Sequence, residues 1–90
     1  MNKAEFISAV AEAASSSKSD ATAHVEAMIN VITGTLKSGT EVAIAGFGSF
    51  KSKRREARTG RNPRTGESIQ IAASNVPSFK AGKALKDALN

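Results

Sequence analysis

The sequence contains no cysteine, which excludes disulfide bonds and cysteine-based metal sites and fits a reducing compartment. Histidine is also scarce, since His24 is the only one. The predicted helix around His24 offers only Asp20 and Glu26 as partners for catalysis or metal binding. We therefore expect His24 to lie on a helix surface, and we expect no metal ion and no cofactor.

Long apolar runs are missing as well. Polar residues interrupt every apolar run before Ala14, so we expect no signal peptide. No run approaches the roughly 18 apolar residues of a membrane-spanning helix. These absences predict a protein without a membrane partner, located in the cytoplasm and, in a bacterial cell, at the nucleoid.

Acidic residues are few in the second half of the chain. Residues 47–90 contain ten basic and three acidic side chains, a net charge of +7, whereas residues 1–46 contain three basic and five acidic ones, a net charge of −2. The three acids Glu56, Glu67 and Asp87 are scattered, and the half lacks the clustered carboxylates or nucleophile–base pair of a hydrolase. We expect no enzyme activity and predict a polyanionic partner for this half.

The length of 90 residues predicts one small domain. The polar stretch described next removes about twenty residues from any core and leaves a body of about seventy, near the size at which one hydrophobic core is marginal. Without cysteine, oligomerisation is the remaining common way to stabilise such a body.

The basic residues are concentrated in one stretch, Lys51 to Ser68, in which only Ala57 and Pro63 are apolar. Such a stretch has no face to bury. Strand-like alternation on both sides, together with internal turn residues, predicts a long β-hairpin arm that carries positive charge outward. The basic residues of the stretch are Lys51, Lys53, Arg54, Arg55, Arg58, Arg61 and Arg64, and the turn residues are Gly60, Asn62, Pro63 and Gly66.

Two helices precede the arm. Asn2 with Glu5 has the spacing of a capping pair, and apolar residues recur at helical spacing over residues 3–14. Ser17 with Asp20 predicts the start of a second helix, which Gly39 ends. Its apolar stripe is a core face or a partner face, and in so short a chain one stripe can serve as both if two subunits share the core. The stripe consists of Val25, Met28, Ile29, Ile32 and Leu36.

Strands are predicted over residues 41–45, 49–59 and 67–73, and residues 76–79 return the chain to the body. Three of the four phenylalanines, Phe47, Phe50 and Phe79, flank the base of the arm, where we expect core packing rather than base stacking. Gly46 and Gly48 enclose Phe47 and predict a tight turn, which is compatible with a phosphate cradle of backbone amides.

A last short helix is predicted over residues 82–88. Leu85, Ala88 and Leu89 lie on one side, and Lys83 and Lys86 lie on the other. With Lys80 at the entrance, this basic side is either a solvated surface or a phosphate contact, and its proximity to the arm favours the phosphate contact.

Three segments carry a resemblance to a known family. Gly46-Phe-Gly-Ser-Phe50, Gly60-Arg-Asn-Pro-Arg-Thr-Gly66 and Val76-Pro-Ser-Phe-Lys-Ala-Gly-Lys-Ala-Leu-Lys86 resemble the bacterial HU family of histone-like DNA-binding proteins, in order and at the expected spacing. The resemblance covers the whole chain. Arg64 stands where many relatives have glutamine, which adds charge at the tip of the arm.

The resemblance implies an α+β fold with two N-terminal helices, a three-stranded antiparallel sheet with the long β-hairpin arm, and a short C-terminal helix, intertwined in a dimer. It implies a single HU-like domain in which residues 1–50 and 75–90 form the dimerisation body and residues 51–74 form the DNA-binding arm. The expected function is architectural binding, bending and compaction of double-stranded DNA with little sequence preference and a preference for distorted DNA.

The resemblance also implies roles for individual residues. Pro63 matches the wedge that intercalates between base pairs, and Lys3 lies on a flank that longer DNA can reach. The arm residues expected to face the minor groove and its phosphates are Arg55, Arg58, Arg61, Asn62 and Arg64, and Arg54 is also expected to bind DNA. The expected phosphate contacts of the body are Lys53, Lys80, Lys83 and Lys86, with Gly46 and Gly48 as the candidate backbone cradle.

Two alternative functions stay open at this point: a sequence-specific subunit like integration host factor, and an RNA-binding protein. The first differs by reading a preferred site, and the second by using double-stranded or single-stranded RNA modules of other patterns. The expected partner subunit is a second copy of this chain or a paralogue.

Overall fold

The computed structural model describes all residues 1–90 and contains three helices and five strands. Its two compact units are residues Met1–Gly34 and Thr35–Asn90. None of its helices combines the length and the apolar character needed to cross a membrane. The elements are α1 (Lys3–Ala13), α2 (Lys18–Lys37), β1 (Val42–Ile44), β2 (Gly48–Arg55), β3 (Arg58–Arg61), β4 (Ser68–Ile71), β5 (Ser74–Ala81) and α3 (Lys83–Leu89).

The caps predicted for the first two helices are confirmed. The Asn2 side chain accepts a hydrogen bond of 2.9 Å from the Glu5 amide at the start of α1. The Ser17 hydroxyl accepts one of 3.0 Å from the Asp20 amide at the start of α2. Each bond satisfies one of the amides that a helix leaves unpaired at its beginning, so local sequence alone determines where these helices start.

The first unit has a small core. Only Ile7, Ala11, Ala21 and Val25 are buried, and they pack together from α1 and α2 with Val10 against them. His24 is exposed, as predicted. Most of the predicted stripe of α2 is not buried within this chain: Met28 is 58% exposed and Ile29 is 46% exposed. Most of the stripe is therefore not buried by other residues of the same chain, as the residues of a core face would be.

The end of α2 at Gly39 is also confirmed. Gly39 has φ +85°, its amide donates to the Leu36 carbonyl, and the Thr40 amide donates to the Thr35 carbonyl. This pair of bonds is the Schellman motif. Helix α1 ends in the same way, but the residue in the left-handed conformation is Ser15, with φ +52°.

The second unit contains a three-stranded antiparallel sheet in the order β1-β2-β5 and a separate two-stranded sheet, β3-β4. Strand β2 is central and pairs with β5 from Gly48↔Ala81 to Arg55↔Ser74. Pro77 lies inside β5 without disrupting the ladder because β5 is an edge strand, where a missing amide proton can face solvent.

The strand boundaries differ from the prediction in two respects. The outgoing strand predicted over residues 49–59 is interrupted at Glu56 and Ala57, opposite Ala72 and Ala73 on the returning side. The segment predicted as a simple return to the body is the eight-residue strand β5, which begins at Ser74. The four residues at the interruption, Glu56, Ala57, Ala72 and Ala73, are of types that are depleted in strands.

Candidate nucleic-acid interface

Side-chain alternation gives the three-stranded sheet one face with an apolar patch and one basic face, and Arg54 lies beyond the patch on the face that carries it. The register Val42↔Phe50 and Phe50↔Phe79 places these residues on the same face, together with Ile44. The intervening residues of β2 and β5 point the opposite way. Their basic members are Lys51, Lys53, Arg55 and Lys80, and the others are Ser49, Ser74, Val76 and Ser78.

The predicted phenylalanine cluster forms on the apolar face. The ring of Phe79 lies 5.3 Å from that of Phe47 and 4.8 Å from that of Phe50, measured between centroids. Phe47 and Phe79 nevertheless remain 43% exposed. The cluster therefore forms one side of a hydrophobic layer whose other side this chain does not supply.

The Gly-Phe-Gly segment forms the tight turn predicted for it. The Phe47 amide donates to the Ile44 carbonyl at 3.0 Å, and Gly46 has φ +82°, as the third residue of a type II turn requires. Gly48 is buried, and a Cβ built there would lie 2.5 Å from the Lys80 carbonyl oxygen. Packing against β5 thus accounts for Gly48 without a ligand.

A concave surface that encloses an open cavity of about 520 Å³ lies where β2, the end of β5 and α3 meet. The Gly82 amide donates to the Phe47 carbonyl at 2.8 Å, which fixes the beginning of α3 beside the sheet. Four lysines and two acids line this concave surface, so its charge is predominantly positive. They are Lys51, Lys80, Lys83, Lys86, Glu41 and Asp87.

Strands β3 and β4 form the two-stranded part of the arm. They pair from Arg58↔Ile71 to Arg61↔Ser68 with no third strand beside them. Because neighbouring residues alternate across a strand, Arg58 and Arg61 lie on opposite faces of this ribbon. Positive charge is therefore presented on both sides of the arm.

Backbone and side-chain hydrogen bonds of Asn62 hold the tip of the arm. Its amide donates to the Glu67 carbonyl and its carbonyl accepts from the Gly66 amide, both at 2.8 Å. The Asn62 Oδ1 accepts a further bond of 2.9 Å from the Arg64 amide. Pro63, which has no amide proton to satisfy, is exposed at the tip. The turn is thus fixed by Asn62 and Gly66, with φ +72° at Gly66.

Few of the basic residues are neutralised within the chain. Three ion pairs are present, Lys3–Glu26 at 3.4 Å, Lys51–Glu41 at 3.9 Å and Arg54–Glu56 at 3.2 Å, and all are largely exposed. Exposed pairs of this kind contribute about 0–1 kcal/mol and are easily exchanged for another partner. The predicted contact residues without an ion pair are Lys53, Arg55, Arg58, Arg61, Arg64, Lys80, Lys83 and Lys86.

The second unit therefore brings together every predicted contact residue except Lys3, which belongs to the first unit. Asn62 uses its carbonyl oxygen to shape the tip, which leaves its amide group free for other contacts. Sequence reasoning left Lys51 out of the predicted site, although it lines the concave surface. The alternation of Lys51 with Lys53 and Arg55 along one strand is the sequence signal that could have identified it.

Comparisons with known proteins agree on one family. The family model described as bacterial DNA-binding protein matches residues 1–90. The chain is 57% identical over 89 residues to DNA-binding protein HU-alpha of Aeromonas hydrophila, covering 99% of each chain. It is 55% identical over 89 residues to DNA-binding protein HU 1 of Bacillus subtilis, covering 99% of this chain and 97% of the relative.

Solved structures give the same result. The chain is similar to that of an Anabaena HU–DNA cocrystal structure, with a TM-score of 0.90 and 46% identity over 99% of this chain and 97% of the other. It is also similar to HU from Thermotoga maritima in its V42I mutant form, with a TM-score of 0.75 and 33% identity over the whole of both chains.

Proposed function

Because the chain belongs to the HU family of bacterial DNA-binding proteins, we propose that it binds double-stranded DNA as an architectural protein and bends it. It compacts DNA with little sequence preference and favours DNA that is already bent, nicked or distorted. It acts at the nucleoid in the cytoplasm, and it is not an enzyme.

The observation that carries this proposal is the distribution of unpaired positive charge. Eight basic side chains without an internal ion pair lie on the arm, on the basic face of the sheet and around the concave surface, all in one unit. Lys and Arg in such a pattern neutralise phosphates and release the counterions that surround DNA. Contacts of this kind fix position without reading sequence.

The arm fits the minor groove. Arginine suits a narrow and negative groove because its guanidinium is weakly hydrated and can bond several acceptors. A two-stranded ribbon without flanking layers can enter such a groove, with Arg58 and Arg61 directed to opposite sides. Residues 51–74 serve as this arm, and residues 1–50 and 75–90 serve as the body.

Pro63 acts as the wedge at the tip. It is exposed, apolar and stiff, and the turn around it is held by bonds that do not involve its side chain. Minor-groove wedge proteins, among which HU proteins are themselves counted, unstack a base step at a cost of roughly a few kcal/mol. Contacts available only on bent DNA offset the cost.

The protein acts as a dimer, formed with a second copy of this chain or with a paralogue. Only four side chains form the buried core of one chain, whereas the apolar face of the sheet and the stripe of α2 remain substantially exposed. Intertwining two chains covers these surfaces and places two arms on one duplex.

Pro63→Ala tests the proposal because it keeps every basic residue and the hydrogen bonds of the turn. We expect affinity for linear duplex DNA to change by less than about threefold, while bending and the preference for nicked DNA are lost. Energy transfer between dyes at the ends of a short duplex measures bending, and affinities on linear and nicked DNA are measured at one stated salt concentration.

Arg61→Ala is the matched control. It removes charge but keeps the wedge, so we expect weaker binding to all duplexes and a shallower salt dependence, with the preference for nicks retained. If Pro63→Ala bends DNA as well as the parent protein does, Pro63 only forms the turn and the bending has another origin. If the parent protein neither binds nor bends DNA, the proposed function is wrong.

A further inference from the structure

The two faces of the arm differ in polarity. The pairing Gly60↔Ile69 and Arg58↔Ile71 places Gly60, Ile69 and Ile71 on one face of the ribbon, which we call the isoleucine face. The other face is polar throughout. It consists of Thr59, Arg61, Ser68 and Gln70.

The isoleucine face is continuous because Gly60 has no side chain. A Cβ at Gly60 would lie 2.9 Å from Cδ1 of Ile71 and 3.7 Å from Cγ1 of Ile69, so both side chains close over the glycine. Ile69 is 43% exposed and Ile71 is partly buried. An apolar sheet face ordinarily packs against another layer, and no third strand extends this ribbon.

The same ribbon carries the charges that attract DNA, which identifies the chemistry of the missing layer. Arg58 shares the isoleucine face, and Arg61 and Arg64 follow toward the tip. The minor groove of B-DNA is about 6 Å wide, and since the two strands of the ribbon are themselves about 4.8 Å apart, the ribbon enters the groove where bending widens it. Its walls are deoxyribose rings, whose C–H groups are apolar between the charged phosphates. On the isoleucine face the apolar strip adjoins Arg58, and this combination of an apolar surface with a positive charge matches that arrangement.

We propose that the isoleucine face packs against the deoxyribose walls of the minor groove and thereby makes the arm discriminate DNA from RNA duplexes. This inference rests on the proposed function and adds a specificity determinant to it. An RNA duplex presents a wide, shallow minor groove that displays 2′-hydroxyl groups. Ile69 and Ile71 offer these hydroxyls no hydrogen-bond partner, so covering them is unfavourable.

The test compares two double variants of equal shape. Ile69→Val with Ile71→Val keeps the face apolar, whereas Ile69→Thr with Ile71→Thr replaces one methyl of each valine by a hydroxyl. Valine and threonine are both β-branched and both suit strands, and neither changes the net charge. Affinities for DNA and RNA duplexes of matched sequence are measured across a salt series, with far-ultraviolet circular dichroism of each variant.

We expect the valine form to bind DNA within about threefold of the parent and the threonine form to bind DNA about tenfold more weakly. The threonine form should bind RNA within about twofold of the parent, so the DNA-to-RNA preference falls about tenfold. The salt slope on DNA should be the same in all forms because the charges are unchanged.

The opposite face provides the positional control. Ser68→Thr with Gln70→Thr makes a comparable change there, and we expect it to leave the DNA-to-RNA preference within about twofold of the parent. Equal weakening on DNA and RNA in the isoleucine-to-threonine form, or an unchanged preference, would overturn the inference. Either result leaves the proposed function intact, since that fails only if the parent protein itself does not bind and bend DNA.

Discussion

Gly48→Ala is the substitution whose consequence the structure defines most sharply. A Cβ at residue 48 would lie 2.5 Å from the carbonyl oxygen of Lys80, and 2.6 Å from Cζ and 2.7 Å from Cε1 of Phe79. Favourable contacts between heavy atoms lie near 3.5–4.0 Å, so something must move by roughly 1 Å. The carbonyl belongs to the β2–β5 ladder, and the ring is packed against Phe47 and Phe50.

Moving either neighbour is energetically unfavourable, and this determines how strongly Gly48→Ala destabilises the fold. Overpacking of a well-packed site costs about 1–3 kcal/mol, and contact with backbone and ring together places Gly48→Ala at about 2–3 kcal/mol. For a chain of 90 residues each kcal/mol lowers Tm by about 4–8 °C. We therefore expect Tm to fall by roughly 8–24 °C at equal protein concentration, as measured by circular dichroism or calorimetry.

Two other glycines separate crowding from backbone conformation. At Gly46 a Cβ meets nothing within 4 Å, but φ is +82°, so Gly46→Ala should cost about 1 kcal/mol. At Gly34, inside α2, a Cβ again meets nothing and φ is ordinary, so Gly34→Ala should stabilise by about 0.5–1 kcal/mol. From the highest Tm to the lowest, the expected order is Gly34→Ala, the parent protein, Gly46→Ala and Gly48→Ala.

The same variants distinguish packing from a phosphate cradle at the Gly-Phe-Gly turn. If Gly48 serves packing, folded Gly48→Ala protein well below its Tm should bind linear DNA within about threefold of the parent, since every charge is kept. A variant that melts like the parent yet binds DNA ten times more weakly would refute the packing argument. That result would instead identify Gly48 as a phosphate contact.

Three further predictions follow from other parts of the structure. Replacing Lys83 and Lys86 by alanine should flatten the plot of log affinity against log salt by about 0.9 for each phosphate that is no longer neutralised, on all sequences alike, and an unchanged slope would exclude both lysines from the interface. The left-handed conformation of Ser15, with φ +52°, costs about 1 kcal/mol for a residue with a Cβ, and glycine removes that strain. Ser15→Gly should therefore raise Tm by about 4–8 °C, and an unchanged or lower Tm on calorimetry would contradict the strain. Sedimentation at micromolar concentration should give about twice the chain mass of 9.3 kDa, whereas a cooperatively folded monomer there would disprove the dimer.

The sequence determines the features that depend on local chemistry. Asn2 and Ser17 cap helices because their side chains reach an amide three residues on, whatever the rest of the chain does. Gly39 ends α2 because it adopts a left-handed conformation without strain. The arm follows from charge, since a stretch with no face to bury must leave the core. Family resemblance adds the intertwined dimer, which no local pattern reveals.

Other features depend on partners distant in sequence. Ser15 adopts the conformation usual for glycine, and only the bonds of the Schellman motif account for it. Proline ordinarily argues against a strand, and Pro77 is compatible with β5 only because β5 is an edge strand of the sheet. The phenylalanine cluster was predicted correctly as a contact, but how far it is buried depends on a second chain. That burial cannot be read from one chain's periodicity.

The interruption of the arm at Glu56 and Ala57 leaves the register unchanged. Gly48↔Ala81 and Arg55↔Ser74 on one side, and Arg58↔Ile71 on the other, all keep one constant pairing, so the gap contains no bulge. The ribbon side that carries Phe50 and Phe79 in the sheet is therefore the side that carries the isoleucines in the arm. Between the two apolar patches this side carries the pairs Ser52↔Pro77 and Arg54↔Asn75, so the phenylalanine patch that a second chain covers and the isoleucine patch proposed to meet DNA share one side of the ribbon but are separated by polar and charged residues.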